Sequence, residues 1–338
     1  MTQAEGSGSE SARPKRPGEA PPQIAAKATP GYYDVPMLKA PVWTWEVPTY
    51  FFFGGLSGGA FAVGRLAERF GGRSYRDVAR LATIVSATAF VPCPPLLIAD
   101  LGDPKRFIYM LRVFKPKSPM NLGSWILTGF SGALAIAVVR EIALGRRAIH
   151  RGGTADVALA AVGDIAGIPL ALGLMGYTGV LLSTTSTPIW ARNNWLGPLF
   201  MASAFSAGAS AVDLAVELKG GVFRHKASAT LGRLETACHL AEAAALTGFL
   251  AASGEHAEPL RKGPYSELLY GGAVGLGLLA PTLLKHLPVT GKSGKRAASI
   301  MGPILGLAGG LALRLAITRA GIPSANNPQS ARTASRRR

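Results

Sequence analysis

The chain has 338 residues, of which 16% are charged and 48% hydrophobic, and its formal net charge is +17. The basic residues lie between apolar segments and not on one domain face, which excludes a nucleic-acid-binding domain and fits the loops of a membrane protein. Two cysteines, Cys93 and Cys238, both inside apolar stretches, exclude a disulfide framework and a cysteine metal site.

Residues 1–41 are rich in Pro, Gly, Ser and Ala and hold no apolar run. They read as a disordered N-terminal arm, with no cleavable signal peptide. Eight stretches then follow that are long enough to span a hydrocarbon core, which takes roughly 20 residues. They are 46–66, 78–99, 122–140, 156–183, 195–216, 231–253, 267–287 and 297–318. The expectation is an all-α integral membrane protein with eight transmembrane helices, ending in a basic tail over 319–338. Counted with their flanking positions, the odd-numbered connections hold more Lys and Arg than the even-numbered ones. The positive-inside rule therefore predicts both termini on the outer side. All five tryptophans (43, 45, 125, 190 and 195) then fall on that side as well.

The first segment contains "GGLSGGAFAVG", with overlapping GxxxG pairs at Gly54/Gly58 and Gly55/Gly59. Such pairs let membrane helices approach closely. A phosphate-binding loop is excluded, because no strand precedes the glycines and no phosphate-binding Lys follows. Glu46 and Tyr50, four apart, share a face. The second segment ends in "VPCPPLLIADLGDP". Pro92, Pro94 and Pro95 remove three N–H donors, so the helix is expected to break just before Asp100. Freed carbonyls at membrane depth need protein or a wet cavity against them, which predicts a pocket. The next connection carries Lys105, Arg106, Arg112, Lys115 and Lys117 on the outer side, against the charge bias. A loop of this kind is expected to cap a site or dock a partner.

In the fourth segment, Tyr177 lies about two turns from the outer end. It is either an interfacial anchor or a donor to a carbonyl ligand. Glu46, Tyr50, Asp100 and Tyr177 share a predicted depth beneath an aromatic rim. They suit a flat apolar molecule with carbonyl or hydroxyl ends, which describes a quinone. Ionisable residues inside membrane helices point to function by default. Asp164 and Asp213 lie in inner halves of their helices, and Glu235, His239 and Glu242 form a stripe about 10 Å long on one face. The stripe is either a set of interhelical contacts or, with the two aspartates, a proton relay. Arg314 falls near the outer end of the last segment. No two histidines match in depth as axial ligands, so no haem is expected.

"YFFFGGLSGGA", "DLGDPKRFIYMLRVFKPKSPMNLGSW" and "YTGVLLSTTSTPIW" together resemble the NrfD/polysulfide-reductase membrane-subunit family, strongly over roughly 32–200 and weakly beyond. The resemblance implies two four-helix bundles, here 42–185 with the quinone site and 186–318. It implies a menaquinone or ubiquinone site near the outer face, lined at Tyr177 of the "YTG" motif and at Asp100 leading the loop. The start of the first helix departs from the family, with Glu46 and Tyr50 where some members carry Asn and His. It also implies electron exchange with a four-cluster ferredoxin-like iron–sulfur subunit, which connects to a molybdopterin or other catalytic subunit. The chain is then part of a quinone-linked oxidoreductase and not an enzyme alone, with proton translocation open. A secondary transporter and a haem-binding cytochrome are the competing readings.

Overall fold

The computed structural model describes residues 38–72, 75–220, 224–286 and 291–336. Residues 1–37 of the predicted arm lie outside these. Among the described residues there is no strand. The chain forms α1 (Glu46–Phe70), α2 (Arg76–Phe90), α3 (Cys93–Leu101) and the short α4 (Pro104–Leu111), then α5 (Pro119–Gly145). Next come α6 (Thr154–Val162) and α7 (Ile168–Ser183), joined by a π-helical turn over Gly163–Gly167, then α8 (Leu196–Lys219) and α9 (Arg224–Ser253). A short α10 (Glu258–Arg261) precedes a π-helical run, Leu268–Leu279, that continues as α11 (Ala280–His286). The long α12 (Lys292–Asn326) and α13 (Pro328–Arg336) complete the fold.

Among the described residues, six runs are long and apolar enough to cross a bilayer: Arg76–Leu101, Pro119–Gly145, Thr154–Ser183, Leu196–Lys219, Leu268–Lys285 and Ser293–Asn326. The other two long helices, α1 and α9, fall short of that measure for different reasons. Glycine and hydroxyl residues dilute α1, which is buried along most of its length. Charged residues dilute α9, which carries Arg233, Glu235, His239 and Glu242.

The packing centres on α1 and α8. Helix α1 lies against α2, α3, α7, α8 and α12, and α8 lies against α7, α9 and α12. The glycines of α1 make this crossing possible. A Cβ at Gly59 would overlap the Ala204 carbonyl and crowd Gly208, and one at Gly58 would press on the Ala171 carbonyl. Backbones this close gain dispersion contacts that lipid tails cannot supply.

The second predicted helix is broken where its prolines stand. Helix α2 stops at Phe90, and α3 restarts at Cys93 with Pro94 and Pro95 in its first turn, where a missing N–H costs nothing. Gly102, at φ 71°, ends α3 in the left-handed conformation, and its N–H donates to the carbonyls of Ile98 (3.1 Å) and Ala99 (3.2 Å).

The predicted polar tail differs from the structure. Helix α12 runs on to Asn326, because Ala320, Ser324 and Ala325 are buried. Gly321 leaves room for the Trp190 ring, and Ser324 Oγ accepts from the Ile189 N–H at 3.1 Å. Trp190 is no interfacial anchor either. It is fully buried, its indole N–H donates to the Ile317 carbonyl at 2.9 Å, and it stacks on Trp43 at 5.7 Å.

Candidate functional site

A cleft opens where the start of α1, the end of α3 and the start of α5 meet α7. Its walls are mainly apolar, and three of the predicted residues, Tyr50, Asp100 and Tyr177, line it. The closed interior holds about 50 Å³, and the space reaches about 570 Å³ with the open mouth included. A ring-sized ligand therefore needs wall side chains to yield. Met110 and Met120 stand in the wall, and methionine repacks readily. Asp100 is exposed at the rim, where the break in the proline-bearing helix carries it. Tyr50 is buried, and its hydroxyl has no hydrogen-bond partner among the described residues. The Tyr177 hydroxyl donates to the Pro119 carbonyl at 2.6 Å, and its oxygen lies against the Gly123 backbone N–H. Glu46 stands off the cleft wall, hydrogen-bonded by the Thr44 hydroxyl.

The basic loop closes one side of this cleft through Met110 of α4. Asp103 caps α4, its side chain accepting from the Lys105 N–H at 2.9 Å, with Pro104 at the first helical position. Asn121 ties the loop down at both ends of its amide: Oδ1 accepts from the Lys115 N–H at 2.7 Å, and Nδ2 donates to the Met110 carbonyl at 2.5 Å. Phe114 packs edge-on against Trp125 at 5.8 Å. All five predicted cations are exposed, and Ile108, Tyr109, Val113 and Phe114 are exposed beside them.

The predicted relay residues fall in separate places. Asp213, Glu235, His239 and Glu242 are all buried on α8 and α9. Glu235 accepts from Lys285 at 2.6 Å and from Ser210. Both ring nitrogens of His239 and one carboxylate oxygen of Asp213 lack hydrogen-bond partners among the described residues. Higher up, Glu242 shares Ser203 with Arg314. Arg314 is 1% exposed and donates to Ser203 Oγ (2.9 Å) and to the carbonyls of Gly310 (2.9 Å), Phe51 (3.2 Å) and Phe200 (3.4 Å). It thereby joins α1, α8 and α12 one residue from Tyr50. Asp164 is elsewhere, paired with Arg65 at 2.7 Å at the end of the helices opposite the cleft.

A profile of the family described as "Polysulphide reductase, NrfD" matches residues 35–324. The chain belongs to this NrfD family. It is similar to Protein NrfD of Escherichia coli strain K12, 26% identical over 303 residues that cover 83% of this chain and 95% of that protein. It is also similar to the C-chain of polysulfide reductase from Wolinella succinogenes, 27% identical over 299 residues that cover 83% of this chain and 94% of that protein. With the apolar helices described above, this NrfD-family member is a multi-pass membrane protein.

Three residues of this NrfD-family site escape a reading by charge and depth. Gly123 lies against the Tyr177 ring, and a Cβ there would overlap the phenol. Asn121 fixes the loop, and Met110 comes to the cleft from a helix that looks like surface. All three lie in the "MLRVFKPKSPMNLG" stretch, whose cations draw attention away from them. The signal for Asn121 was its position in the first turn of a helix after Ser-Pro, where a side-chain amide finds loop backbone to bond.

Proposed function

We propose that the protein is the quinone-interacting membrane subunit of a multisubunit oxidoreductase, exchanging electrons at its outer face with an iron–sulfur subunit. The observation that carries this reading is the cleft itself, in which Tyr50, Asp100 and Tyr177 meet beneath the exposed basic loop. The apolar walls suit a menaquinone or ubiquinone ring. The unpartnered Tyr50 hydroxyl suits a carbonyl acceptor, while the Asp100 carboxylate suits a hydroxyl donor. The cations favour an acidic partner, and the exposed apolar residues among them give it something to bury. A cluster seated on α4 lies from the cleft by about one helix diameter, roughly 10 Å.

The eight long helices are read as eight crossings in two four-helix bundles, with both termini outside. The buried charges of α9 and the glycines of α1 explain why those two helices look less apolar than a lipid-facing span. In this arrangement Asp213, Glu235, His239 and Glu242 offer a proton relay, and the ion-paired Asp164 holds structure. The named relative from a polysulfide reductase agrees with a role inside a larger reductase.

The test is quinol-linked turnover of the assembled complex. Tyr177→Phe and Asp100→Asn each remove one polar contact from an apolar site, a loss of about 1–3 kcal/mol, or roughly fivefold to 150-fold in rate. Assembly should be unchanged in both. Wild-type quinone kinetics in the two variants would remove these residues from the site.

A further inference from the structure

A second cleft, of about 410 Å³, lies at the opposite end of the helices, between the start of α2 and the turn after α5. Arg76, Arg80, Arg147 and Arg151 line it with only two carboxylates, Asp77 and Glu141. Both carboxylates are already engaged. Asp77 pairs with Lys219 at 3.2 Å, and Glu141 pairs with Arg140 at 3.5 Å and Arg151 at 3.7 Å. Arg76, Arg80 and Arg147 make no salt bridge among the described residues. Arg147 holds φ at 58°, the left-handed region that a non-glycine residue seldom occupies, and from there its side chain lines the cleft.

We propose that this cleft binds the phosphate group of an anionic phospholipid. Guanidinium groups match phosphate oxygens in bidentate fashion, and three of them here make no salt bridge among the described residues. The lipid is favoured over free phosphate by what adjoins the charges. Arg76, Arg80 and Ile84 follow at four-residue intervals on one face of α2, and Ile84 is 50% exposed. The cations thus pass directly to an exposed isoleucine that an acyl tail can cover. Leu144 and Ile149 contribute apolar wall beside the arginines. Basic pockets between helices at a bilayer surface are the usual seats of acidic head groups.

Native mass spectrometry of the full-length protein, delipidated in mild detergent with the subunits that accompany it, tests the assignment. The probes are dioctanoyl phosphatidylglycerol, dioctanoyl phosphatidylcholine and inorganic phosphate. One phosphatidylglycerol is expected to be held at least about tenfold more tightly than phosphatidylcholine, and equimolar inorganic phosphate should not displace it. Combining Arg76→Gln, Arg80→Gln and Arg147→Gln should erase that preference, whereas Lys295→Gln with Arg296→Gln should leave it intact. Arg147→Gly covers the case in which the triple variant does not purify. It keeps the positive φ without strain and removes one cation, so binding should fall several-fold with no loss of thermal stability. Equal binding of the two lipids, displacement by inorganic phosphate, an equal loss in the Lys295/Arg296 control, or unchanged binding in Arg147→Gly would each overturn the proposal.

Discussion

Two groups of buried ionisable residues lie in this molecule, and they are satisfied to different degrees. At the end opposite the Tyr50–Tyr177 cleft, Arg65 pairs with Glu68 (2.6 Å) and Asp164 (2.7 Å), and Arg140 pairs with Glu68 (2.6 Å) and Asp156 (2.7 Å). Asp156 also accepts from the Gly152 N–H at 2.7 Å, and Arg65 donates to the Ala160 carbonyl at 3.1 Å. Every one of these charges has an opposite charge as a hydrogen-bond partner. On α8 and α9 the groups are all buried, more deeply than Glu68 and Asp164, yet among the described residues His239 has two bare nitrogens and Asp213 a bare oxygen. A closed network specifies how helices pack, and its cost is recovered only when every member is paired. An open one recovers less, which is compatible with the proton relay proposed above.

The comparison is most sharply broken through Arg140. Arg140→Leu leaves Asp156 buried without its ion-pair partner, while Glu68 keeps Arg65, and this should cost about 3 kcal/mol. Thermal unfolding in detergent reads this directly, and a variant that melts with the wild type would show the closed network to be dispensable. Next in size is Glu242→Gln, which keeps the shape and removes the titratable proton. In sealed proteoliposomes the internal pH change during turnover should slow by roughly a hundredfold. Arg314 keeps its carbonyl partners in this variant, so folding should hold. Unchanged proton stoichiometry would exclude Glu242 as a relay. The smallest effect belongs to His239→Leu. Replacing a ring with no hydrogen bonds by an apolar group should shift stability by no more than about 1 kcal/mol, in either direction. A large destabilisation would mean that His239 has partners after all and would remove the contrast between the two groups.

The apolar helices, the break before Asp100 and the buried glycine crossing were legible because each follows from local chemistry: apolar run length, missing N–H donors, absent side chains. The convergence of Tyr50, Asp100 and Tyr177 was legible from depth alone, since up-and-down helices convert position along the chain into height. Depth says nothing about azimuth. Asp164 shares a predicted height with Asp213, but it faces Arg65 on a different side of the molecule. Glu46 turns to the Thr44 hydroxyl beside the cleft, near Asp100. The extension of α12 was missed because its polar residues are satisfied by tertiary partners, as Ser324 is by Ile189. No window of sequence contains both.

The amide of Asn121 holds Lys115 and Met110 together, so the surface that carries the cations and the wall of the cleft are one mechanical piece. Two occupants that touch one movable piece cannot be independent. If a partner on the loop favours the position of Met110 that admits a ring, then the ring must strengthen the partner's hold by the same factor. Under the proposed function the linkage would be reciprocal, and loss of the iron–sulfur partner would weaken the grip on the quinone.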